Sequence, residues 1–203
     1  MQSVIFHGSF GNKNENWFPW LKKELETLGH EVFLEQYPVD KWEDIEKKGK
    51  DNTQTIQNLS SWTAFFEKTT LPLLDKKKDV LLFGHSLSPV FILHLVSQYS
   101  LKLKGAVFAS PFLESLNQET TWPFDVVNRS FYKKDFDWEK LKSLIPHSYV
   151  LYGTNDPYVP MHLPIDFARR LESNLIPVKN GGHLGSNLKE FPILLDLVKK
   201  ISG

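Results

Sequence analysis

The sequence predicts an α/β protein: a three-layer sandwich in which a mostly parallel six-stranded sheet carries helices on both faces. Three observations lead there. Short apolar runs of strand length alternate about six times with longer segments whose apolar residues recur at helical spacing. The runs are apolar almost throughout, as strands covered on both faces require. Ser9, Ser86, Asp156 and His183, which have chemistry to offer, each fall just after one of these runs. In an open parallel sheet the loops at the carboxyl ends of the strands gather on one side, where ligands bind.

Taken in order, Ser3 to Phe6 is the first strand. It ends in His7-Gly8-Ser9-Phe10-Gly11, a glycine-containing loop that can turn backbone N–H groups toward a ligand or serve as a plain connection. Trp17, Phe18, Trp20, Leu21, Leu25 and Leu28 mark an amphipathic helix, stopped by Gly29. The second strand lies within His30 to Tyr37 and closes at Pro38. Residues 40 to 52 are charged, lack a continuous apolar face and read as a surface connection. A helix from about Thr53 to Lys68 carries Leu59, Trp62, Phe65 and Phe66, and Lys76-Lys77-Lys78 reads as a solvated loop.

Val80 to Phe83 is the third strand, and Leu87, Val90, Phe91, His94 and Leu95 repeat at helical spacing after it. Between them Gly84-His85-Ser86-Leu87-Ser88 has the context of a nucleophile elbow, G-x-S-x-G, with serine where the last glycine belongs. A serine entering a helix is also an ordinary N-cap, so this stretch alone leaves both readings open. Pro89 is compatible with a first helical turn. Lys104 to Ala109 is the fourth strand, followed by Ser110-Pro111-Phe112. The segment from about 113 to 137 is rich in aromatics and holds no clean period. It reads as an insert: a lid, a pocket wall, or a loop fastened to the core by its rings. Trp138, Leu141, Leu144 and Ile145 form a short helical patch. Ser148 to Tyr152 is the fifth strand, with Gly153-Thr154-Asn155-Asp156-Pro157 after it. Pro164 to Leu171 begins a helix, Leu175 to Val178 is the sixth strand before Asn180-Gly181-Gly182-His183, and about Leu188 to Ile201 is the last helix.

At 203 residues the chain fits a single domain over 1–203. Lys+Arg 24 against Asp+Glu 24 leaves a formal net charge of +0, which speaks against nucleic acid or an anionic membrane as partner. There are no cysteines, so disulfides, thiolate chemistry and most structural zinc sites drop out. Val4-Ile5-Phe6 is too short an apolar run for a signal peptide, and no stretch approaches the roughly 20 apolar residues of a membrane helix. A cytoplasmic protein is the expectation.

Nucleophilic catalysis by serine needs a base, a group that orients the base, and donors for an oxyanion. Ser86, Asp156 and His183 follow later and later strands in the chain order Ser, Asp, His of α/β-hydrolases. Asp125, Asp135 and Asp137 are rival acids, and His147 and His162 rival bases. His7 and His85 flank the site as structural or pocket-lining groups, and His94 falls on an apolar helix face. No histidine pairs with a carboxylate at metal-ligand spacing, so the spacing supports no metal site.

These pieces resemble a known family. His7-Gly8 and its loop, Trp17-Phe18-Pro19-Trp20-Leu21, Trp62, Gly84-His85-Ser86, Ser110-Pro111-Phe112, Asp156-Pro157-Tyr158-Val159-Pro160 and Gly181-Gly182-His183 are similar to those of small α/β-hydrolases of the group that includes the retinoblastoma-binding serine hydrolase and its bacterial relatives. The resemblance implies a compact sheet lacking the first two strands of larger enzymes, and hydrolysis of a carboxylic ester or small amide without a cofactor. Carried over by position, it makes Ser86 the nucleophile, His183 the general base and Asp156 its orienter. The oxyanion donors would be the backbone N–H of Leu87 and that of Ser9, in preference to Phe10. Phe10, His85, Phe112 and Trp122 are expected around the pocket. The departure is Ser88-Pro89, where relatives carry glycine or alanine, and it bears on pocket shape. A small ester or amide is the expected substrate. The resemblance also leaves room for a protein partner and for a non-enzymatic interaction module that keeps the fold, since fold does not imply activity.

Overall fold

A computed structural model describes residues 1–185 and 188–202. Six strands form one sheet in the order β2-β1-β3-β4-β5-β6, every neighbouring pair parallel. They are β1 (Gln2–Phe6), β2 (Glu31–Leu34), β3 (Val80–His85), β4 (Gly105–Ala109), β5 (Ser148–Gly153) and β6 (Asn174–Val178). The helices are α1 (Phe18–Thr27), α2 (Trp42–Lys48), α3 (Leu59–Thr69), α4 (Ser88–Tyr99), α5 (Trp122–Asn128), α6 (Trp138–Leu144), α7 (His162–Leu171) and α8 (Ile193–Ser202). The expected α/β sandwich is thus the observed one, with a sheet that is wholly parallel.

The pleat divides each strand between two cores, because successive side chains point to opposite faces. Val4, Phe6, Leu82, Ala106, Phe108 and Val150 face the larger cluster, under α3, α4, α6 and α7. Ile5, Leu81, Phe83, Val107, Ala109 and Leu151 face the other, where α1 and α8 pack together. Both faces of the central strands are therefore dry, which is why they read as unbroken apolar runs. Strand order reverses between β1 and β3, and the crevice at their carboxyl ends is where such a sheet offers a binding site.

Besides two later helix starts, at Leu59 where about Thr53 is expected and at Ile193 where about Leu188 is, two segments depart from the sequence reading. Residues 40–52, read as a surface connection, contain α2; its one buried residue, Ile45, packs with Val126 and Val127 of α5. Segment 113–137 is not irregular throughout, since a 3-10 turn at Glu119–Thr121 leads into α5. Both helices have seven residues, two turns at most, too few for a helical period to emerge from sequence. They stabilise each other by tertiary contact instead.

Candidate active site

β3 and α4 meet at Ser86, whose φ is +62°. For a residue with a Cβ this left-handed conformation costs about 1–2 kcal/mol and persists only where the surroundings impose it. Here they do. The Ser86 N–H donates to the Ala109 carbonyl on β4 at 2.8 Å, and α4 runs so close to β3 that a methyl group at Gly84 would meet Ile92 Cδ1 at 2.8 Å and Pro89 N at 3.0 Å. Ser88, fully buried in place of the motif's last glycine, donates its hydroxyl to the His7 carbonyl and so fastens the start of α4 to the end of β1.

His183 and Asp156 arrive from the loops after β6 and β5. His183 Nε2 lies 3.0 Å from Ser86 Oγ, and His183 Nδ1 lies 2.8 Å from Asp156 Oδ2. The Asp156 side chain is 3% accessible and the His183 side chain 17%. Asp156 Oδ2 also accepts from the Ser110 hydroxyl at 3.0 Å, and Oδ1 accepts from the N–H groups of Tyr158 and Val159 at 2.9 and 3.0 Å. Burial pushes the Asp156 pKa up, but the His183 contact and the two N–H donors outweigh it and hold the carboxyl below its ordinary value. The two loops approach so closely that a side chain at Gly153 would overlap the Gly182 carbonyl. Gly182 N–H donates to Asn155 Oδ1 at 2.8 Å, bracing the loops against each other.

A second ring of residues holds the backbone of His183. The buried His85 ring packs at 4.9 Å from the His183 ring, with its Nε2 2.8 Å from the His183 carbonyl. Burial, with His183 beside it, pushes the His85 pKa down to about 3. His85 is therefore a neutral donor behind the site. Trp17 Nε1 donates to the next carbonyl, Leu184, at 2.8 Å, which gives the first helix's tryptophan a task. His7, lowered by burial, accepts the Tyr37 N–H at Nε2 and so donates from Nδ1 to the Gly8 carbonyl at 2.8 Å.

The loop after β1 lies against the serine. A methyl group at Gly8 would sit 2.8 Å from Ser86 Cβ, so only glycine lets this backbone approach. Phe10 N–H is committed to Gln57 Oε1 at 3.0 Å. The N–H groups of Ser9 and Leu87 have no acceptor among the described residues.

The expected pocket residues divide. Phe10 packs on the small cluster around Ile45, its ring 5.2 Å from Trp42 and 5.6 Å from Phe124. Phe124 in turn meets Tyr158 at 5.7 Å, and Tyr158 meets His183 at 5.2 Å. This aromatic wall includes Trp42, Phe124 and Tyr158, which no spacing in the sequence distinguishes. Phe112 is enclosed in the larger core beside Tyr132, and Trp122 turns to the small cluster around Ile45 under Lys50. The rival acids have other partners: Asp125 binds Ser115, Leu116 N–H and Tyr132, Asp137 caps α6, and Asp135 is exposed near Lys133. His147 and His162 are exposed, and His94 is hydrogen-bonded to the Phe131 carbonyl. Among the described residues no cluster of histidine and carboxylate side chains could hold a metal ion, and no helix is long and apolar enough to cross a membrane.

A parallel sheet with a strained serine after β3, and an acid and a histidine after β5 and β6, is the arrangement of the α/β-hydrolase fold. The chain belongs to the serine hydrolase family, which it matches over residues 3–200, and it is a hydrolase. It is 25% identical over 201 residues to YdeN of Bacillus subtilis, covering 97% of this chain and 94% of that one. It is 22% identical over 203 residues to serine hydrolase RBBP9 of Rattus norvegicus, covering 98% and 95%. The crystal structure of the B. subtilis ydeN product superposes with a TM-score of 0.77 at 24% identity over 99% of this chain and 98% of that one. Est1E of Butyrivibrio proteoclasticus, crystallised with ferulic acid, shares the fold with a TM-score of 0.69 at 14% identity, over 99% and 87%.

Proposed function

We propose that this protein hydrolyses a carboxylic ester or small amide through an acyl-enzyme on Ser86. The observation that carries the reading is the unbroken hydrogen-bonded chain Ser86 Oγ–His183 Nε2, His183 Nδ1–Asp156 Oδ2, with Ser86 held at positive φ. Asp156 accepts from Nδ1–H and so leaves Nε2 basic toward the hydroxyl. His183 takes the Ser86 proton as Oγ attacks the acyl carbon, and the carbonyl oxygen becomes an oxyanion held by the N–H groups of Ser9 and Leu87. As the tetrahedral intermediate collapses, His183 returns the proton to the leaving alcohol or amine. Water deprotonated by His183 then attacks the acyl-enzyme, and as the second tetrahedral intermediate collapses His183 passes that proton to Ser86 Oγ, the leaving group, restoring the resting site. Holding both donors in place beforehand matters alongside the base, since one such donor accounts for about 10²–10³ in rate.

The wall of Phe10, Trp42, Phe124 and Tyr158 beside His183 supports a substrate with a small or medium apolar acyl or alcohol portion. Treating the purified protein with a fluorophosphonate probe tests the reading. Labelling of wild type that disappears in Ser86→Ala, and fades strongly in His183→Ala, is the expected result. A folded wild-type protein that takes no label would overturn it in favour of an interaction module that retains the fold. A panel of esters, thioesters and amides then ranks the substrates.

A further inference from the structure

We propose that Asn128 and Gln57 are positioning residues for the oxyanion hole, so that α5, within the 113–137 segment, belongs to the working parts of the site and is more than its cover. The inference rests on the reading of the Ser9 N–H as an oxyanion donor. Ser9 and Phe10 form a turn in which Phe10 takes a φ of +53°, a conformation that a bulky residue adopts only under constraint. Two side chains supply the constraint. Gln57 Oε1 accepts the Phe10 N–H at 3.0 Å, and Asn128 Oδ1 accepts the Ser9 hydroxyl at 2.7 Å. Gln57 Nε2 donates to the same Asn128 oxygen at 2.8 Å, and the Gln57 N–H donates to Asp40 Oδ2 at 2.8 Å. Both amide side chains belong to fully buried residues.

Three parts of the chain therefore meet on one oxygen: the loop after β1, the segment before α3, and the last residue of α5. Pulling the Phe10 N–H onto Gln57 turns it away from Ser86 and leaves the Ser9 N–H as the loop's donor. Gly8, directly before it, touches Ser86, so a small rotation of this turn changes the aim of that N–H. Hydrogen bonds weaken steeply with such misalignment. The other amide atom of Asn128, Nδ2, is buried beside the Tyr132 hydroxyl but makes no well-formed hydrogen bond among the described residues. A side chain kept only for packing would be apolar and avoid that desolvation penalty. Its oxygen, which holds two donors, accounts for the asparagine.

The test compares kcat and KM for a chromogenic ester in wild type, Asn128→Ala, Asn128→Asp, Ser9→Ala and the Ser9→Ala/Asn128→Ala double variant, with thermal melts of each. Asn128→Ala is expected to lower kcat about 10- to 100-fold, less than the roughly 10²–10³ of a donor removed outright because the Ser9 N–H is misaimed and not lost, with KM within about threefold. The acid limb of the pH profile should stay in place, because His183 and Asp156 are untouched. Asn128→Asp keeps an acceptor oxygen and should recover most of the loss. Ser9→Ala should lower kcat alone and add less than about twofold on top of Asn128→Ala, the signature of two residues acting through one bond. A folded Asn128→Ala with kcat within about twofold of wild type overturns the inference, and so does a loss accompanied by a shifted acid limb. Should Asn128→Ala not fold, Ser9→Ala decides by the same criteria. Active wild type with unaffected variants sinks this inference alone, whereas wild type with neither esterase activity nor fluorophosphonate labelling sinks the reading of Ser86 and this inference with it.

Discussion

Gly8→Ala puts the approach of the first loop to the serine under direct test. A methyl group at Gly8 would stand 2.8 Å from Ser86 Cβ, 3.2 Å from the His85 carbonyl and 3.3 Å from Ser86 Oγ. Non-bonded carbons rest at about 3.5–4.0 Å, so the loop and the elbow must part by roughly 0.7–1.2 Å. The elbow cannot give much: Ser86 N–H is bonded to Ala109 and α4 is locked against Gly84. The loop gives instead, carrying the Ser9 N–H off the position proposed for it as an oxyanion donor. A displacement of about 1 Å at reacting groups costs about 10²-fold, or about 2.7 kcal/mol of transition-state stabilisation. The packing strain should cost about 1–3 kcal/mol of stability, so the variant should still fold. The assay is kcat/KM on the best ester of a panel, beside a urea melt. A folded Gly8→Ala within about threefold of wild type would refute the reasoning that this contact sets the site.

Three further outcomes are expected. Asp156→Asn should lower kcat by about 10³–10⁴-fold in steady-state assays; Oδ1 must remain the acceptor for the Tyr158 and Val159 N–H groups, so the amide NH₂ faces His183 Nδ1 and selects the tautomer protonated at Nε2, which cannot take the Ser86 proton. Ser88→Ala removes the buried donor to the His7 carbonyl and should cost about 1–3 kcal/mol, read as a lower urea midpoint; an unchanged midpoint would make the serine a passive replacement for glycine. The third concerns pH. His85, at about 3, and His7, lowered by burial, are held neutral in the fold, while the unfolded chain takes up protons near pH 6.5. Their stabilising share is therefore complete above about pH 6.5 and is lost as pH falls toward the folded values, by up to about 1.4 kcal/mol per pH unit for each group. Urea midpoints at pH 7, 5.5 and 4.5 should fall in that order, and more shallowly in His85→Gln; equal slopes would remove His85 as a source.

Where periodicity is local, the elements could be read before any coordinates. β1 and β3 to β5 are unbroken apolar runs because each strand is dry on both faces, and α1, α4 and α7 are long enough to show an apolar face. α2 and α5 could not be read, because their stability comes from each other and not from their own residues. The same distinction runs through the site. Ser86, Asp156 and His183 stand out because chain order and turn residues carry local information. The parts played by Gln57, Asn128, Trp42 and Tyr158 do not, since nothing within a few positions of them marks the residue each will meet.

By itself, then, the amino-acid sequence determined the α/β alternation, the wholly apolar central strands and the order in which a serine, an acid and a histidine emerge after successive strands. Only the tertiary structure decided that Ser88 ties α4 to β1, that His85 and Trp17 hold the carbonyls of the His183 loop, and that α5 reaches the turn beside Ser86 through Asn128. The physical reason is range. Backbone propensity and side-chain period act over a few residues, whereas a buried hydrogen bond or an aromatic contact is chosen by what the folded chain brings within a few ångströms.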